Sequence, residues 1–194
     1  MLDQFEVFLD KLSMFIDVDI MPGRTDFASA FLPQQPINSC LFPQLKERAS
    51  INLVTNPHNF KINDVEILGT SGQNVDDIYC YSKISESPVE LVKKSLEMRH
   101  ICPTAPDTLR SFPFVESDPF IIEKAPHVYF AANQNKYESE IIKDNVGSVC
   151  HLITIPSFRQ TGTVVLLDLK TLESYPYTFK VDQLVESGAT EEKK

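Results

Sequence analysis

A polar turn near the start of the sequence carries side chains that could bind a metal ion or act on a substrate. In "DVDIMPGRTDFAS", alternating apolar residues end at a Pro-Gly pair, and Arg24, Thr25 and Asp26 follow. The alternation predicts a strand that stops in a turn. A carboxylate placed there could bind a cation, but an aspartate directly after a glycine turn more often caps that turn. We therefore expect Asp26 to be a capping residue.

Two pairs of histidine and cysteine are candidates for metal binding and for nucleophilic catalysis. His100 and Cys102 are two residues apart, but no second pair completes a zinc site, so a packed loop is the favoured interpretation. Cys150 and His151 are adjacent on a predicted strand, where their side chains point to opposite faces and cannot form a catalytic dyad. Neither pair is expected to be a functional site.

The remaining candidates are two acids and two histidines. Asp76 and Asp77 in "QNVDDI" could bind a cation, although capping of the following turn is the favoured interpretation. His58 lies in an Asn-Pro turn, and His127 follows a proline at the start of a predicted strand. Both are expected to be surface or hydrogen-bonded structural histidines.

Helices are predicted at two places. The clearer one lies in "SPVELVKKSLEMRHI", where Ser87 is a suitable N-cap, Pro88 occupies the first helical position and Glu90 the third. An earlier helix is predicted at the amino terminus, because apolar residues recur there at three- and four-residue spacing. Its apolar face consists of Leu2, Phe5, Phe8, Leu9 and Leu12.

Short strands are predicted through much of the remaining chain. They are expected in "FIDVDIM", "INLVTNP" and "FKINDVEILGTSG", twice in "DPFIIEKAPHVYFAANQ", once in "VCHLITIPSF" and twice in "TVVLLDLKTLESYPYTFKV". The last two are predicted to form a hairpin that turns at residues 170–173. Strands with interspersed helices and long Pro-rich loops predict an α/β sandwich of two sheets with helices outside.

Length and composition favour one globular domain in a reducing compartment. The chain has 194 residues, of which 42% are hydrophobic and 23% are charged, as in ordinary domains. Its four cysteines form no C-x-x-C pair, which favours reduced thiols. The acidic amino terminus is unlike a signal peptide, and no stretch of about 18 apolar residues is present. A soluble intracellular protein with a flexible polar tail at residues 186–194 is expected.

The charge balance bears on nucleic-acid binding. The net charge of −9 argues against sequence-independent binding to the phosphate backbone of a nucleic acid, because such binding needs clustered basic residues. A local basic patch remains an alternative, and its members are Lys93, Lys94, Arg99 and His100.

Several blocks of the sequence resemble the B-subunit family of eukaryotic DNA polymerase delta. The longest, "MPGRTDFASAFLPQQPINSCLFP", is similar to that family's pattern "MPG..D.....LPQQP.....FP". The blocks "LVTNPH", "LGTSGQNVDDI", "RHICPTAPDTL", "FPFVESDPFI" and "PHVYF" follow in the same order. Together they extend from about residue 15 to about residue 180.

This resemblance implies both a fold and an incomplete chain. Family members join an oligonucleotide-binding barrel to a two-sheet, calcineurin-like metallophosphoesterase sandwich, and the chain resembles the C-terminal portion of the sandwich over residues 1–185. The N-terminal OB-fold part and the early "D-x-H" and "G-D-x-x-D" motifs are absent from this chain. Residue 1 is therefore expected to mark a truncation, an alternative start or an incomplete gene model. Poor solubility of the isolated chain is expected because apolar faces would be exposed.

By the same resemblance, the motifs that hold two metal ions in active phosphoesterases are altered. Arg24 and Thr25 replace the bridging asparagine and the acid/base histidine of the turn G-N-H-D. Ser71 replaces the histidine of an H-G motif, and asparagines replace both histidines of G-H-x-H. The former metal and acid/base positions are Arg24, Thr25, Asp26, Ser71, Asn133 and Asn135. No cofactor is expected, and the Arg24 guanidinium is expected to pair with carboxylates near the former metal position.

The resemblance implies a non-catalytic scaffold subunit of DNA polymerase delta in the nucleus. The implied partners are the cysteine-rich C-terminal domain of the catalytic subunit and a third subunit with the clamp-binding motif, with the polymerase zeta catalytic subunit as a further candidate. Contact with DNA is expected only through these partners, and none with a membrane. The alternative is a residual metal-dependent phosphodiesterase or nuclease that uses Asp26, Asn133 and Asn135 with upstream aspartates.

Overall fold

Five strands form a mixed sheet at the centre of the fold. The computed structural model describes residues 2–45, 48–82, 87–143 and 149–179. The strands of the sheet are His58–Ile62 (β3), Val65–Thr70 (β4), Val128–Gln134 (β5), Glu138–Lys143 (β6) and Val149–Pro156 (β7). Their order is β3-β4-β5-β7-β6. β4, β5 and β7 run parallel, and both edge strands are antiparallel to their neighbours. The fold is therefore α/β, as predicted.

Both faces of the central sheet are covered by apolar clusters. Side chains alternate along β5, and Tyr129 and Ala131 pack against the helices Gln73–Tyr81 (α2) and Pro88–Glu97 (α3). Val128 belongs to the opposite cluster, which includes apolar residues of the carboxyl-terminal hairpin. The sheet is thus the shared wall of two cores, and its parallel strands are accordingly rich in apolar residues.

Helix α3 confirms the clearest prediction from the sequence. It begins at Pro88 after the expected N-cap Ser87, although the Ser87 side chain makes no capping hydrogen bond. Instead, the Glu138 carboxylate on β6 accepts a hydrogen bond from the Val89 amide at 3.5 Å. An acid is favourable there because the first amides of a helix lack partners and carry partial positive charge.

Helix α2 directly follows β4 and was not predicted. Its N-cap Gly72 has a φ of 94°, a conformation that glycine adopts without steric cost. The helix is short and largely polar, so its apolar periodicity is weak. Asp76 and Asp77 lie within it, and the prediction that they cap the following turn is wrong.

A second, smaller layer precedes the central sheet in sequence. It contains the helix Leu2–Leu12 (α1) and a parallel pair of strands, Val18–Ile20 (β1) and Ile51–Leu53 (β2). All three elements confirm predictions. A one-turn 3₁₀ helix at Ser39–Leu41 lies in the connection between the strands. The buried residues of this layer are Leu9, Ile37, Phe42 and Leu45.

The predicted apolar face of α1 is only partly buried. Leu9 is 3% exposed, whereas Phe5 and Phe8 are 42% and 56% exposed. The helix turns Glu6 to the interior, where its carboxylate accepts a hydrogen bond from the Gln44 amide at 2.6 Å. A buried carboxylate is tolerated only with such a partner. Tertiary packing therefore rotates α1 away from the orientation that hydrophobicity alone favours.

The carboxyl-terminal hairpin is also confirmed. Strands Thr163–Leu167 (β8) and Ser174–Thr178 (β9) pair in antiparallel fashion, after a one-turn helix at Phe158–Thr161 (α4). At the turn, the Asp168 carboxylate accepts a hydrogen bond from the Lys170 amide at 2.7 Å. This bond closes the loop that the sequence places at residues 170–173.

Two strand assignments differ from the predictions. Residues 120–122, one of the two strands predicted in "DPFIIEKAPHVYFAANQ", form only an isolated bridge between His100 and Ile121. β6 was not predicted, because charged residues on this edge strand obscure its apolar alternation.

The predicted tail at residues 186–194 lies outside the described residues. In the described parts of the chain, no helix has the length and apolar character needed to cross a bilayer.

Gly72→Ala is expected to lower the free energy of unfolding by about 3 kcal/mol. A methyl group at Gly72 would lie 1.9 Å from the Ala132 carbonyl oxygen, and the φ of 94° is unfavourable for alanine. Gly162→Ala is the matched control, because φ is also positive there but the nearest contact would be 3.4 Å. That change should cost only about 1 kcal/mol. Urea unfolding followed by circular dichroism measures both, and equal losses would contradict the role of the close approach.

Candidate functional site

Three segments that are far apart in the sequence meet at the carboxyl ends of β4 and β5. Asn133 donates a hydrogen bond from Nδ2 to the Ser71 carbonyl oxygen at 3.0 Å. A methyl group on Gly23 would lie 3.9 Å from the same Nδ2 atom. We name this region, formed by the turn at Gly23, Ser71 and Asn133, the strand-end site. In open α/β sheets such an edge is a common place for ligand binding.

Asp26 closes the turn at Gly23. Its Oδ2 atom accepts a hydrogen bond from the Gly23 amide at 2.7 Å. The Asp26 amide in turn lies 3.4 Å from the Gly23 carbonyl oxygen. This is the capping role predicted from the sequence, so the carboxylate is engaged with its own turn.

A buried network of polar side chains lies beside the strand-end site. Gln34 and Asn56 are 1% and 2% exposed, and their backbones exchange hydrogen bonds of 2.7 and 3.1 Å. The Asn56 Nδ2 atom lies 2.7 Å from both Gln34 Oε1 and Ser71 Oγ. Gln73 donates to Gln34 Oε1 at 3.1 Å. We name these four residues, Gln34, Asn56, Ser71 and Gln73, the amide network.

Gln34 connects the amide network with the turn. Its Nε2 atom donates hydrogen bonds to the carbonyl oxygens of Gly23 at 3.1 Å and Ser29 at 2.8 Å. Both acceptors lie in a loop without regular secondary structure. A buried amide must satisfy both its donor and its acceptor atoms. The polar contacts of Gln34 therefore position the turn.

An irregularity in β5 directs Asn133 toward Ser71. The pairing of β5 with β7 shifts register between Ala131 and Gln134, and Asn133 has a φ of 57°. Asparagine tolerates this left-handed conformation better than most residues. A bulge of this kind re-aims a side chain, which here places the Asn133 amide over the end of β4.

Asp76 and Arg24 line a cavity of about 350 Å³ beside α2. Burial raises the pKa of Asp76, while a hydrogen bond from Gln134 and the positive charge of Arg24 act in the opposite direction. The direct ion pair predicted for Arg24 is not formed, since no carboxylate of the described residues lies within 4 Å of its guanidinium. Its charge acts on Asp76 over a longer distance.

Two of the predicted positions remain apart from these contacts. Thr25 is exposed on the turn. Asn135 is also exposed and lines a different cavity, together with Tyr79 and Lys136. The structure therefore brings together Ser71, Asn133 and the turn of Asp26, but it does not draw Thr25 or Asn135 into the same hydrogen bonds.

His58 and His127 have structural contacts, as predicted. The His127 Nδ1 atom accepts a hydrogen bond from the Glu66 amide at 3.0 Å. His58 stacks on Phe60 with ring centroids 5.1 Å apart. Both side chains thus stabilise the β3–β4 hairpin and its neighbour.

The packed loop predicted around Cys102 and the opposite faces predicted for Cys150 and His151 are confirmed. Cys102 is buried in a packed loop, and burial raises the pKa of its thiol to about 12. Its amide donates a hydrogen bond to His100 Nδ1 at 3.2 Å. Cys150 packs in the cluster of α3, whereas His151 on the opposite face lies 3.3 Å from Ser174 of the hairpin. Neither arrangement supplies a thiolate beside an imidazole.

The strand-end site is built to hold the backbone in place. Ser71 Oγ accepts a hydrogen bond from Asn56, and Asn133 Nδ2 donates to a backbone carbonyl. In the described residues, no group of three or more His, Cys, Asp or Glu side chains is arranged to hold a metal ion. The hydrogen bonds of Ser71 and Asn133 connect the backbone and side chains of separate segments at the strand ends.

Sequence reasoning assigned no role to three residues that matter here. Gln34, Asn56 and Gln134 are each at most 4% exposed, although glutamine and asparagine are mostly exposed in proteins. Gln34 and Asn56 lie in the blocks "LPQQP" and "LVTNPH". For these two residues, an amide beside a proline was the available signal. Their partners come from distant segments and cannot be identified from a local pattern.

Comparison with known proteins places the chain in a family. The family model for the DNA polymerase alpha/epsilon B subunit matches residues 1–140. The chain belongs to this family. Within it, the chain is 44% identical over 91% of its length to a DNA polymerase delta small subunit of Arabidopsis thaliana. It is 39% identical over 92% to DNA polymerase delta subunit 2 of Drosophila melanogaster, and 36% identical over 93% to the small subunit of Saccharomyces cerevisiae.

The matches cover only part of those relatives. The chain spans 40% of the Arabidopsis protein, 41% of the Drosophila protein and 42% of the yeast protein. Matches of 176 residues also extend well past residue 140, where the match to the family model ends. The similarity to delta small subunits therefore includes most of the described structure.

Gln34→Leu is expected to lower the free energy of unfolding by about 3 kcal/mol. The change removes a buried amide that donates to the carbonyl oxygens of Gly23 and Ser29 and accepts a hydrogen bond from Gln73 Nε2. These polar atoms would lose their partner in the interior. Gln35→Leu is the matched control, because the neighbouring Gln35 is exposed and should change stability by less than about 0.5 kcal/mol. Urea unfolding compares the two variants. Similar losses in both would contradict the importance of the amide network.

Arg24→Ala is expected to raise the pKa of Asp76 further, because it removes a positive charge that lowers it. Carboxyl-carbon NMR titration measures this pKa, with Arg110→Ala as a control from the same cavity. Since the folded-state pKa lies above the ordinary value of 3.8, ionisation of Asp76 reduces stability as the pH rises from 3.8 to the folded-state pKa. An unchanged pKa of Asp76 in the Arg24→Ala variant would contradict the effect of the Arg24 charge on this carboxyl group.

Proposed function

We propose that this chain acts as a non-catalytic accessory and scaffold subunit of the replicative DNA polymerase delta complex, in DNA replication and repair. The observation that carries the proposal is its similarity, over more than nine-tenths of its length, to proteins named delta small subunit or subunit 2. Membership of the polymerase B-subunit family agrees with it. A polymerase subunit of this kind acts in the nucleus.

We further propose that residues 1–185 are the C-terminal portion of a two-sheet, calcineurin-like phosphoesterase domain that has lost its activity. The internal hydrogen bonds of Ser71, Asn133 and Asp26 support this interpretation, since these groups stabilise the fold. The former metal and acid/base positions would then be Arg24, Thr25, Asp26, Ser71, Asn133 and Asn135.

Exposed apolar side chains support a role in assembly with other subunits. Phe8 and Phe15 are 56% and 85% exposed, and Val115 is 99% exposed. Large apolar side chains with this exposure are available to contact another protein. The partners proposed are the cysteine-rich C-terminal domain of the polymerase delta catalytic subunit and the third delta subunit, with the polymerase zeta catalytic subunit as a further candidate.

Direct DNA binding by the basic patch is disfavoured, so DNA would be contacted only through partners. Lys93 pairs with Glu140 at 2.6 Å, and His100 lies 3.0 Å from Asp118. The Arg99 guanidinium donates to the Glu123 carbonyl oxygen at 3.4 Å. These groups already have protein partners, and the net charge of −9 opposes a phosphate backbone.

Affinity purification tests the scaffold proposal. The chain is co-expressed with the tagged cysteine-rich domain of the delta catalytic subunit, and in parallel with the corresponding domain of the epsilon catalytic subunit. We expect stoichiometric recovery with the delta domain and weak recovery with the epsilon domain. No recovery of a cooperatively folded chain with the delta domain would contradict the proposal.

A hydrolysis assay tests the alternative, a residual phosphodiesterase or nuclease. The chain is incubated with manganese and bis(p-nitrophenyl) phosphate, together with the variants Asp26→Ala and Asp64→Ala. Asp64 is a fully exposed aspartate outside the strand-end site and serves as the control. We expect no release of nitrophenol above background. Hydrolysis that is lost only in Asp26→Ala would overturn the non-catalytic assignment.

A further inference from the structure

Two arginines from separate loops line the cavity beside α2. Arg24 follows the turn at Gly23, and Arg110 lies in the long loop between α3 and β5. The cavity has a volume of about 350 Å³, and its apolar wall is formed by Ala30, Leu32 and Leu109. Cavities of this size hold one or two side chains rather than a folded domain.

Hydrogen bonds fix the backbone at Arg110 and at the residue before Arg24. The Leu32 amide donates to the Arg110 carbonyl oxygen at 3.0 Å, and the Phe112 amide donates to the Leu32 carbonyl oxygen at 3.0 Å. The residue before Arg24 is fixed by Gln34, as described for the amide network. The backbone near both arginines is therefore already ordered, which reduces the conformational entropy that the protein loses when a ligand binds.

In the described part of the chain, neither guanidinium contacts a carboxylate directly, although the charge of Arg24 acts on Asp76 from a longer distance. Each offers five N–H donors, yet no ion pair or hydrogen bond of either side chain is present among the described residues. The acids of the cavity are already engaged by neutral donors. Asp77 accepts a hydrogen bond from the Thr108 hydroxyl at 2.6 Å, and Asp76 lies 3.3 Å from the Gln134 amide. The arginines are thus available to an incoming acceptor.

An exposed aromatic pair lies beside the cavity. The rings of Phe31 and Phe112, both 41% exposed, have centroids 5.4 Å apart. These residues flank the Leu32–Ser111 bridge that joins the two loops. Phe27, between Arg24 and this pair in the sequence, is 71% exposed. Apolar contact area therefore lies next to unpaired positive charge.

We propose that this cavity binds an acidic side chain of an extended peptide segment from a partner protein. Arg24 and Arg110 bind the carboxylate, and the pair Phe31 and Phe112 contacts a neighbouring apolar residue of the segment. Guanidinium groups suit carboxylates because they form two parallel hydrogen bonds. This peptide site goes beyond the proposed scaffold function, and it can be tested without any other polymerase subunit.

The surrounding charge favours a peptide over a nucleic acid. Asp76 and Asp77 line the same cavity, and Asp26 and Asp107 are exposed nearby in sequence. A phosphodiester chain brings one negative charge with every nucleotide and would meet these acids repeatedly. A peptide can place a single carboxylate between the arginines and neutral residues elsewhere.

Fluorescence anisotropy tests the proposal with labelled peptides and the whole 194-residue chain. The probe is Gly-Phe-Glu-Gly-Leu-Gly, and its matched control is Gly-Phe-Gln-Gly-Leu-Gly, both amidated at the C-terminus so that the glutamate is the single carboxylate of the probe. We expect the acidic peptide to bind roughly tenfold more tightly, as loss of one charge-assisted bidentate contact implies. Arg24→Glu and Arg110→Glu should each weaken binding by about tenfold. Arg159→Glu changes the charge equally at an exposed site outside the cavity and should have less than about a twofold effect.

Two exposed cysteines provide a second readout that needs no substitution. Cys80 lines the cavity, whereas Cys40 lies in a distant part of the sequence; both are exposed. We expect the acidic peptide to slow alkylation of Cys80 by iodoacetamide and to leave Cys40 unchanged. Equal binding of both peptides, equal effects of all three arginine substitutions, or unprotected Cys80 would overturn the proposal. Tighter binding of a single-stranded oligothymidine that protects Cys80 would also overturn it, in favour of a nucleic-acid site.

Discussion

The hydrogen bonds between Gln34 and Asn56 are the constraint on which the strand-end site depends. Both side chains are almost completely buried, so every donor and acceptor left without a partner would cost stability. Their contacts reach the turn at Gly23 on one side and Ser71 on the other. These segments do not pair as neighbouring β-strands. The side-chain amides of Gln34 and Asn56 therefore supply the hydrogen bonds that connect them. The shape of the site is thus maintained by polar groups that perform no chemistry themselves.

Backbone geometry at two residues completes the arrangement. Gly72 allows β4 to turn at once into α2 while the chain passes against Ala132, where a side chain would collide. Asn133 adopts a left-handed conformation at the β5 irregularity and reaches the Ser71 carbonyl oxygen. Such unfavourable conformations persist only where surrounding contacts determine them. The close approach of β4 and β5 and the amide network therefore support one another.

The same loops that the network positions also form the arginine cavity. The turn at Gly23 leads to Arg24, and the segment from Ser29 to Gln34 carries Phe31 and Leu32 toward the loop of Arg110. An internal scaffold of satisfied amides thus presents unpaired charge and exposed aromatic rings to the outside. This combination is typical of a protein that acts through contacts with partners. It agrees with membership of a polymerase subunit family.

Local sequence signals were sufficient for α1, α3, β1, β2, the β8–β9 hairpin and the cap of Asp26, because each depends on neighbouring residues. The motif blocks of the sequence likewise indicate the family. Tertiary structure decided the rest. It buried Glu6 and exposed Phe5, formed α2 from a polar segment, and paired Gln34 with Asn56. Those outcomes depend on contacts between residues far apart in the chain, which periodicity and spacing along a sequence do not record.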